Sequence, residues 1–360
     1  MKKELDINEL RNQITHLIDT AQEREIQLYE MQSLFRNSIK GSSARNWDGL
    51  KSKLNGEFNV EKLNKLKNNL NNLVISHIRY DDKLISIFNN IESIEEIKVI
   101  FDKYFNDSKN YSEILTDNYA PFSSQKLSDT QTLYQFCLIR ETTVRQELNQ
   151  SDLKDSVLDE YQYIYGVKKI PLGCYDSIIC DLENQRIITA LDLARVLGRN
   201  ELNVAQNNFY RQLKSIINNK KLSQYLEEPL DLFPQIQKFY DEPKDNKTNG
   251  VIEINFITPA GTAHYEKLRG DSKDLRIATY HEKGVEGVKN EKENGVSLNN
   301  DITPYRIGKK YYRDEGDIEI ALKSSYIAIN SSNGSHLYEA YIYGTRSKED
   351  LAFAVKKLIT

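Results

Sequence analysis

Cysteines and long apolar runs are scarce in this 360-residue sequence, and each scarcity excludes a class of protein. The three cysteines, Cys137, Cys174 and Cys180, are odd in number and lack CxxC spacing, which argues against a disulfide framework or a structural zinc site. No apolar run reaches the roughly 18 residues that suggest a membrane-spanning helix. The first residues mix acidic and basic side chains, so no secretory signal is expected there. We therefore expect a cytoplasmic protein without membrane contact.

Proline and glycine are missing from most of the first half. The first proline is Pro121, and no glycine lies between Gly56 and Gly166. Both residues break helices, so their absence predicts a long helical region. From Gly166 onward the chain holds 13 of its 16 glycines and 6 of its 7 prolines, which predicts a turn-rich part of mixed α and β structure.

Two apolar seams in the helical half have the 3-4 spacing of a coiled coil or a long helical hairpin. The first covers residues 7–35 with only Arg24 polar, and the second covers residues 63–87 with only His77 polar. A connector that contains Gly and Ser separates them, so the two helices are predicted to pair as an antiparallel hairpin or across a dimer.

Two further helices are predicted before residue 155. Ser93 and Glu96 have capping-box spacing and open one of them, and the apolar residues within 126–149 predict the other. The fold class expected for residues 1–155 is therefore a long-helix bundle or coiled-coil hairpin.

Strand signals begin at Tyr161, and the segments CYDSIIC and RIIT predict a hairpin. Further strands are predicted at 251–257, 302–307, 317–322, 325–330 and 337–343, with a closing helix at 347–359. We expect mixed α+β modules over residues 156–240 and 241–360. The second should be a mainly antiparallel sheet with helices on one face.

The net charge of −4 conceals segments of opposite sign. Residues 36–67 hold eight Lys and Arg against three Asp and Glu, residues 80–117 hold four against nine, and residues 186–221 hold seven against two. Charged segments are usually solvated faces, and helices of opposite charge can face each other within one bundle. A basic segment also suits a polyanionic partner.

The segment 190–213 combines the last basic segment with the spacing of a helix-turn-helix. Ala194 would permit close helix crossing, Gly198 would supply the turn, and Val204 would fill the small core. The second helix would present side chains of the types that reach base edges and phosphates. The candidate nucleic-acid-binding residues are Arg195, Arg199, Asn203, Gln206, Asn207, Tyr210, Arg211 and Lys214. An ordinary helix pair in a mixed domain explains the same spacing.

A second candidate site lies in residues 254–270, where a strand and a Pro-Ala-Gly turn precede a predicted short helix. The start of that helix would suit a phosphate, bound by Gly261, Thr262, His264 and Lys267. Thr262 as a plain N-cap explains the same residues without a ligand.

Histidines in the last third of the chain could instead serve catalysis. His264, His281 and His336 lie among Lys, Arg and Tyr, which are the residue types of a metal-independent nuclease. HExxH is absent, and no diagnostic ligand interval is present, so no metal site is expected.

These patterns favour a nucleic-acid-binding accessory or sensor protein in a larger assembly, such as a phage-defence system. DNA or RNA would contact residues 186–221, and the helical half would serve oligomerisation or docking of a protein partner. One alternative is a metal-independent nuclease or phosphoryl-transfer toxin with its site in residues 258–336. The other is a purely structural interaction subunit. No cofactor is expected.

Overall fold

The computed structural model describes residues 7–24, 26–39, 44–56, 58–108, 116–149, 151, 161, 163–193, 198–245, 247–270, 272–290, 292–293, 296–297, 300–329, 332 and 334–360. The described residues up to Asp81 form one compact unit, and those from Asp82 onward form another. Across these ranges, no helix is both long and apolar enough to cross a bilayer.

The first unit is helical. Its helices are α1 (Ile7–Glu23), α2 (Leu28–Ser38), α3 (Trp47–Lys53) and α4 (Val60–Tyr80). Both α1 and α2 contact α4 through buried residues of the predicted seams, such as Ile14, Phe35 and Leu66. The first seam is not one continuous helix, because α1 ends at Glu23 and α2 begins at Leu28. The last residues of the second seam, from position 83 onward, form a strand and not a helix. Pairing of the helices as a coiled coil stays a prediction.

The second unit is built on a sheet. Its first part contains β1 (Lys83–Phe88), α5 (Ile94–Asp107), β2 (Ala120–Lys126), β3 (Gln131–Glu147), β4 (Tyr165–Asp181), β5 (Arg186–Asp192), α6 (Arg199–Ile217), α7 (Lys220–Ser223) and α8 (Phe233–Asp241). Its second part contains β6 (Asn249–Ile257), β7 (Ala263–Lys267), α9 (Thr279–Lys289), β8 (Lys292–Glu293), β9 (Val296–Ser297), β10 (Thr303–Tyr311), β11 (Ile318–Lys323), α10 (Tyr326–Ile329), β12 (Ala340–Tyr343) and α11 (Lys348–Ile359). Ten strands form one antiparallel sheet in the order β2-β3-β4-β5-β1-β12-β11-β10-β6-β7.

Helices α5 and α6 pack on one face of the first five strands. Phe136 on β3 is the centre of their contact, because its ring meets Phe105 of α5 at 5.0 Å and Phe209 of α6 at 5.8 Å. Tyr119 stacks on the same Phe209 ring at 5.4 Å. Buried aromatic pairs of this kind stabilise beyond their buried area, so α6 is firmly fixed to the sheet.

The helix predicted over residues 126–149 is wrong. Most of these residues form β3, which pairs with β4 along its whole length. Tyr134 and Phe136 face α5 and α6, while Leu133 and Cys137 are buried on the other face. A strand that is buried on both faces places apolar residues at both odd and even positions, and some of these also match helical spacing.

The later strands agree better with the sequence. The predicted β4–β5 hairpin is confirmed, as are strands close to 251–257, 302–307 and 317–322. The closing helix is also confirmed as α11, where the Ser347 hydroxyl accepts a hydrogen bond from the Asp350 N–H at 3.1 Å. The strand predicted at 325–330 is wrong, since Tyr326–Ile329 is a helical turn. The predicted boundaries near residues 155 and 240 stay predictions.

Helices α8 and α11 contact one face of β10, and helices on a single face of the 241–360 module stay a prediction. The Lys309 ammonium donates to the Phe239 carbonyl of α8 at 3.1 Å, and the neighbouring Tyr311 ring meets Phe353 of α11 at 5.3 Å. Both contacts come from the same face of β10, because residues two apart on a strand point the same way.

Candidate nucleic-acid interface

Helix α6 has clear start and stop signals. At its start, the Glu201 carboxylate accepts a hydrogen bond from the Gly198 N–H at 2.7 Å, which also places negative charge near the positive end of the helix dipole. At its end, Asn218 adopts a left-handed conformation with φ 44°. Between them, a buried stripe repeats at helical spacing: Leu202, Ala205, Phe209, Leu213 and Ile217. This stripe sets which side chains of α6 face solvent.

The predicted helix-turn-helix is wrong in its first helix. Residues 190–192 belong to β5, where Leu191 pairs with Leu84 of β1. Val204 is 60 % exposed rather than buried between two helices. Ala194, Arg195 and Leu197 lie outside the described residues. The β-branched residues before residue 191 form part of strand β5, so α6 packs against the sheet and not against a preceding helix.

The outward side of α6 is polar and basic. We call it the α6 outer face: it consists of the exposed Arg199, Asn203, Asn207 and Arg211 and the half-exposed Lys214. No carboxylate occurs from residue 202 to residue 217. At 1.5 Å per residue, Arg199 and Arg211 are about 18 Å apart along the helix axis. Five of the eight residues predicted from the sequence therefore share one exposed face.

Gln206 and Tyr210 do not belong to this face. The Gln206 amide donates to the Ser86 hydroxyl at 3.2 Å and to the Tyr210 hydroxyl at 3.3 Å. The Tyr210 ring packs edge-on against Phe88 at 5.8 Å, and burial raises the pKa of its hydroxyl. Both side chains fasten α6 to β1 and face away from the α6 outer face, so we do not include them in the proposed interface.

Two charged groups of the α6 outer face, Arg211 and Lys214, have weak local partners. The Arg211 guanidinium donates to the Asn208 side-chain oxygen at 2.6 Å, and the Lys214 ammonium lies 3.4 Å from the Glu227 carboxylate. Exposed contacts of this kind contribute about 0–1 kcal/mol. A polyanion can therefore replace them at small cost.

An open cleft of about 830 Å³ lies between α6 and the middle of β3. Carboxamides line it on both sides, with Asn200, Asn208 and Gln212 from α6 and Asn118 from the segment before β2. Part of its wall is apolar and includes Val204. The sequence patterns did not find this cleft, because its two sides are about eighty positions apart in the chain.

A buried charge network forms one side of the cleft. Arg140, which is 9 % exposed, makes an ion pair with Asp176 and donates to the Tyr119 hydroxyl at 3.2 Å. The Tyr119 hydroxyl in turn donates to Asp176 at 2.8 Å. Burial and the charge of Asp176 raise the pKa of Tyr119 above its ordinary range. Burial alone would lower the pKa of Arg140, but Asp176 raises it, so the guanidinium stays charged.

The same network reaches the centre of the sheet. The second oxygen of Asp176 accepts a hydrogen bond from the Asp192 N–H at 2.9 Å. The Asp192 carboxylate lies 3.5 Å from the Lys83 ammonium, and both side chains are fully buried. A buried and paired set of charges fixes one arrangement of strands β1, β3, β4 and β5, because any loosened partner would be left uncompensated.

The short helix predicted within residues 254–270 is wrong, and phosphate binding by Gly261, Thr262, His264 and Lys267 stays a prediction. Residues 258–262 form a turn, and β7 follows instead of a helix, so no helix N-terminus is present. The Thr262 hydroxyl contacts His264 at 3.2 Å, and the His264 ring stacks on Phe256 at 5.0 Å. Lys267 lies 3.4 Å from Glu253 on the neighbouring strand β6. Gly261 has φ 80°, which suits the tip of a hairpin.

Two of the three candidate catalytic histidines share a partner. His281 is 3 % exposed, and its ring nitrogens contact Glu266 at 2.8 Å and the Tyr240 hydroxyl at 3.0 Å. His281 and His264 both contact the Phe256 ring. His336 instead pairs with Asp231 at 2.8 Å. His264 and His281 therefore lie close to each other beside a shared ring, whereas His336 has a different partner. The nuclease hypothesis stays a prediction.

A scan against protein-family models gives no match for this chain. A search of curated proteins gives no match either. Function is therefore inferred from the residues described above.

Proposed function

We propose that this chain binds nucleic acid through the α6 outer face, as an accessory or sensor subunit of a larger assembly. The observation that supports this most directly is the composition of that face. Arg199, Arg211 and Lys214 supply positive charge, and Asn203 and Asn207 supply amides, with no carboxylate between residues 202 and 217. Cations contact phosphates, and amides and guanidinium groups reach base edges.

The basic surface continues past the end of α6. Lys220 and Lys221 on α7 are exposed and lie within one turn of Ile217. Both the helix and its extension are held by the core, since Leu222 of α7 is buried with Phe209 in the same cluster. A preorganised face loses little conformational entropy when it binds, which favours affinity.

The proposal is tested by charge reversal with a matched control. Arg211→Glu with Lys214→Glu should weaken binding of labelled single-stranded and duplex oligonucleotides by at least about tenfold at low salt. Each lost phosphate contact also makes the slope of log affinity against log salt shallower by about 0.7 to 0.9. Fluorescence anisotropy at several salt concentrations measures both effects.

The control is Lys62→Glu with Lys65→Glu, which makes the same change of charge at exposed positions of α4. If both double variants weaken binding equally, the effect is one of net charge, and the α6 outer face is not the site. If Arg211→Glu with Lys214→Glu leaves binding unchanged, the α6 outer face is also not the site.

The helical unit of residues 7–81 would supply self-association or docking of a protein partner in this proposal. Light scattering gives the mass of the purified protein, and the ratio of absorbance at 260 and 280 nm reports bound nucleic acid. A protein that carries and binds no DNA or RNA would instead fit a purely structural subunit. A cytoplasmic location and a role in phage defence are parts of the same proposal.

A further inference from the structure

The cleft beside α6 adjoins the α6 outer face. Arg211 belongs to both surfaces, and its hydrogen-bond partner Asn208 lines the cleft. A nucleic-acid strand that follows the outer face would therefore pass the mouth of the cleft. Its phosphates would lie near Arg211, and its bases could turn toward α6 or away from it.

Three of the five charged groups that line the cleft are compensated. Arg140 is paired with Asp176, Glu141 with Lys169 at 2.9 Å, and Glu201 with the start of α6. The other two are Asp117 and Arg211, and Arg211 would already contact a phosphate of the strand on the α6 outer face. A further phosphate inside the cleft would lie close to the carboxylates of Asp117, Glu141 and Glu201. An uncharged group avoids this repulsion.

The remaining lining suits a planar heterocycle. The carboxamides of Asn118 and Asn200 each offer a donor and an acceptor, as base edges require. Leu138, Val204 and Ala205 add apolar surface for the faces of a ring. Ligand pockets typically measure about 300–1,000 Å³, and a cleft of about 830 Å³ has room for one base and its sugar.

We propose that the cleft accepts one unstacked base of the bound strand, so that the preferred ligand is single-stranded rather than continuous duplex nucleic acid. This inference rests on the proposed function. A base can enter only if it leaves its stack, and a paired base must also lose its partner. In a single strand the base has no pairing partner to lose, and its stacking is weaker than in a duplex.

The test fills the cleft without changing charge. Val204→Trp places an indole in the cleft from a position that is 60 % exposed, so the core is not disturbed. The control is Val167→Trp on β4, where the valine is 69 % exposed and does not line the cleft. Filling the cleft should weaken single-strand binding by roughly tenfold, the loss expected for one base contact, and leave duplex binding unchanged.

A second measurement separates base entry from simple obstruction. Oligonucleotides that carry one abasic position, moved step by step along the strand, should bind the unaltered protein about tenfold less well at the position that enters the cleft. Val204→Trp should abolish this dependence, and Val167→Trp should retain it. Thermal unfolding of both variants confirms that they are folded.

The outcomes distinguish the two proposals. If the unaltered protein binds no nucleic acid, the proposed function fails. If it binds single strands and duplexes equally, and Val204→Trp behaves like Val167→Trp, base entry is overturned while binding by the α6 outer face stands. An abasic effect that persists in Val204→Trp also overturns base entry.

Discussion

Lys309 is expected to destabilise the protein at neutral pH, because its ammonium is fully buried. It projects from β10, lies 3.1 Å from the Glu242 carboxylate, and donates to the Phe239 carbonyl. Burial, reinforced by the charge of Arg276, lowers the pKa of Lys309 from 10.5 to about 8, although Glu242 opposes this. The ion pair therefore offsets the loss of hydration only in part.

The sign follows from the order of the two pKa values. Below pH 8 the lysine is charged in both states, and the folded state carries the full penalty. Between pH 8 and 10.5 the unfolded chain binds more protons, so stability rises with pH. One pKa unit corresponds to about 1.4 kcal/mol, so the penalty at pH 7 is on the order of 3 kcal/mol.

Lys309→Met removes the charge and keeps a side chain of similar length. We expect the variant to be more stable than the unaltered protein by about 3 kcal/mol at pH 7, and the difference to shrink toward zero near pH 10. Urea unfolding at pH 7, 8, 9 and 10 measures it. The control is the exposed Lys356→Met on α11, which should show no such trend. A constant difference between Lys309→Met and the unaltered protein over this range would refute the reasoning.

Two further substitutions test the architecture that carries the site. Asp176→Asn should leave the Arg140 guanidinium uncompensated and lower the free energy of unfolding by about 3–5 kcal/mol, whereas a loss below about 1 kcal/mol would mean that the network is dispensable. Gly344→Ala should lower the melting temperature clearly, because Gly344 has φ 80° and a Cβ there would lie 2.2 Å from the Asp317 carbonyl oxygen. An unchanged melting temperature would show that the turn between β12 and α11 relaxes.

The sequence predicted those strands whose pattern was not obscured by tertiary contacts. Strands β6, β10 and β11 contain β-branched or aromatic residues and lie between turn residues, so local signals were sufficient. Strand β3 was missed because both of its faces are buried, which hides the alternation that distinguishes a strand from a helix. Leu133 and Tyr134 point to opposite faces of the sheet, and only the neighbouring strands β2 and β4 determine which face each one takes.

The candidate site divides in the same way. The α6 outer face could be predicted, because helical spacing alone separates Asn203 and Asn207 from the buried Leu202 and Phe209. Gln206 lies at the border of the buried stripe, where the position of β1 decides its direction. The cleft could not be predicted, because its two sides come from segments about eighty positions apart in the chain.

The charge of a sequence segment predicts a binding surface less well than the charge of one exposed helix face. Residues 186–221 hold seven basic residues, yet the Arg186 side chain donates to Asn89 at 2.7 Å from β5 and lies outside the α6 outer face. The charges of the α6 outer face are all positive, because the one carboxylate of α6, Glu201, accepts a hydrogen bond from the Gly198 N–H at the start of the helix. Helix periodicity therefore selects which charges of a basic segment can meet one polyanion together. For this chain it selects Arg199, Arg211 and Lys214, and charge reversal at the last two should weaken binding more than the same change on α4.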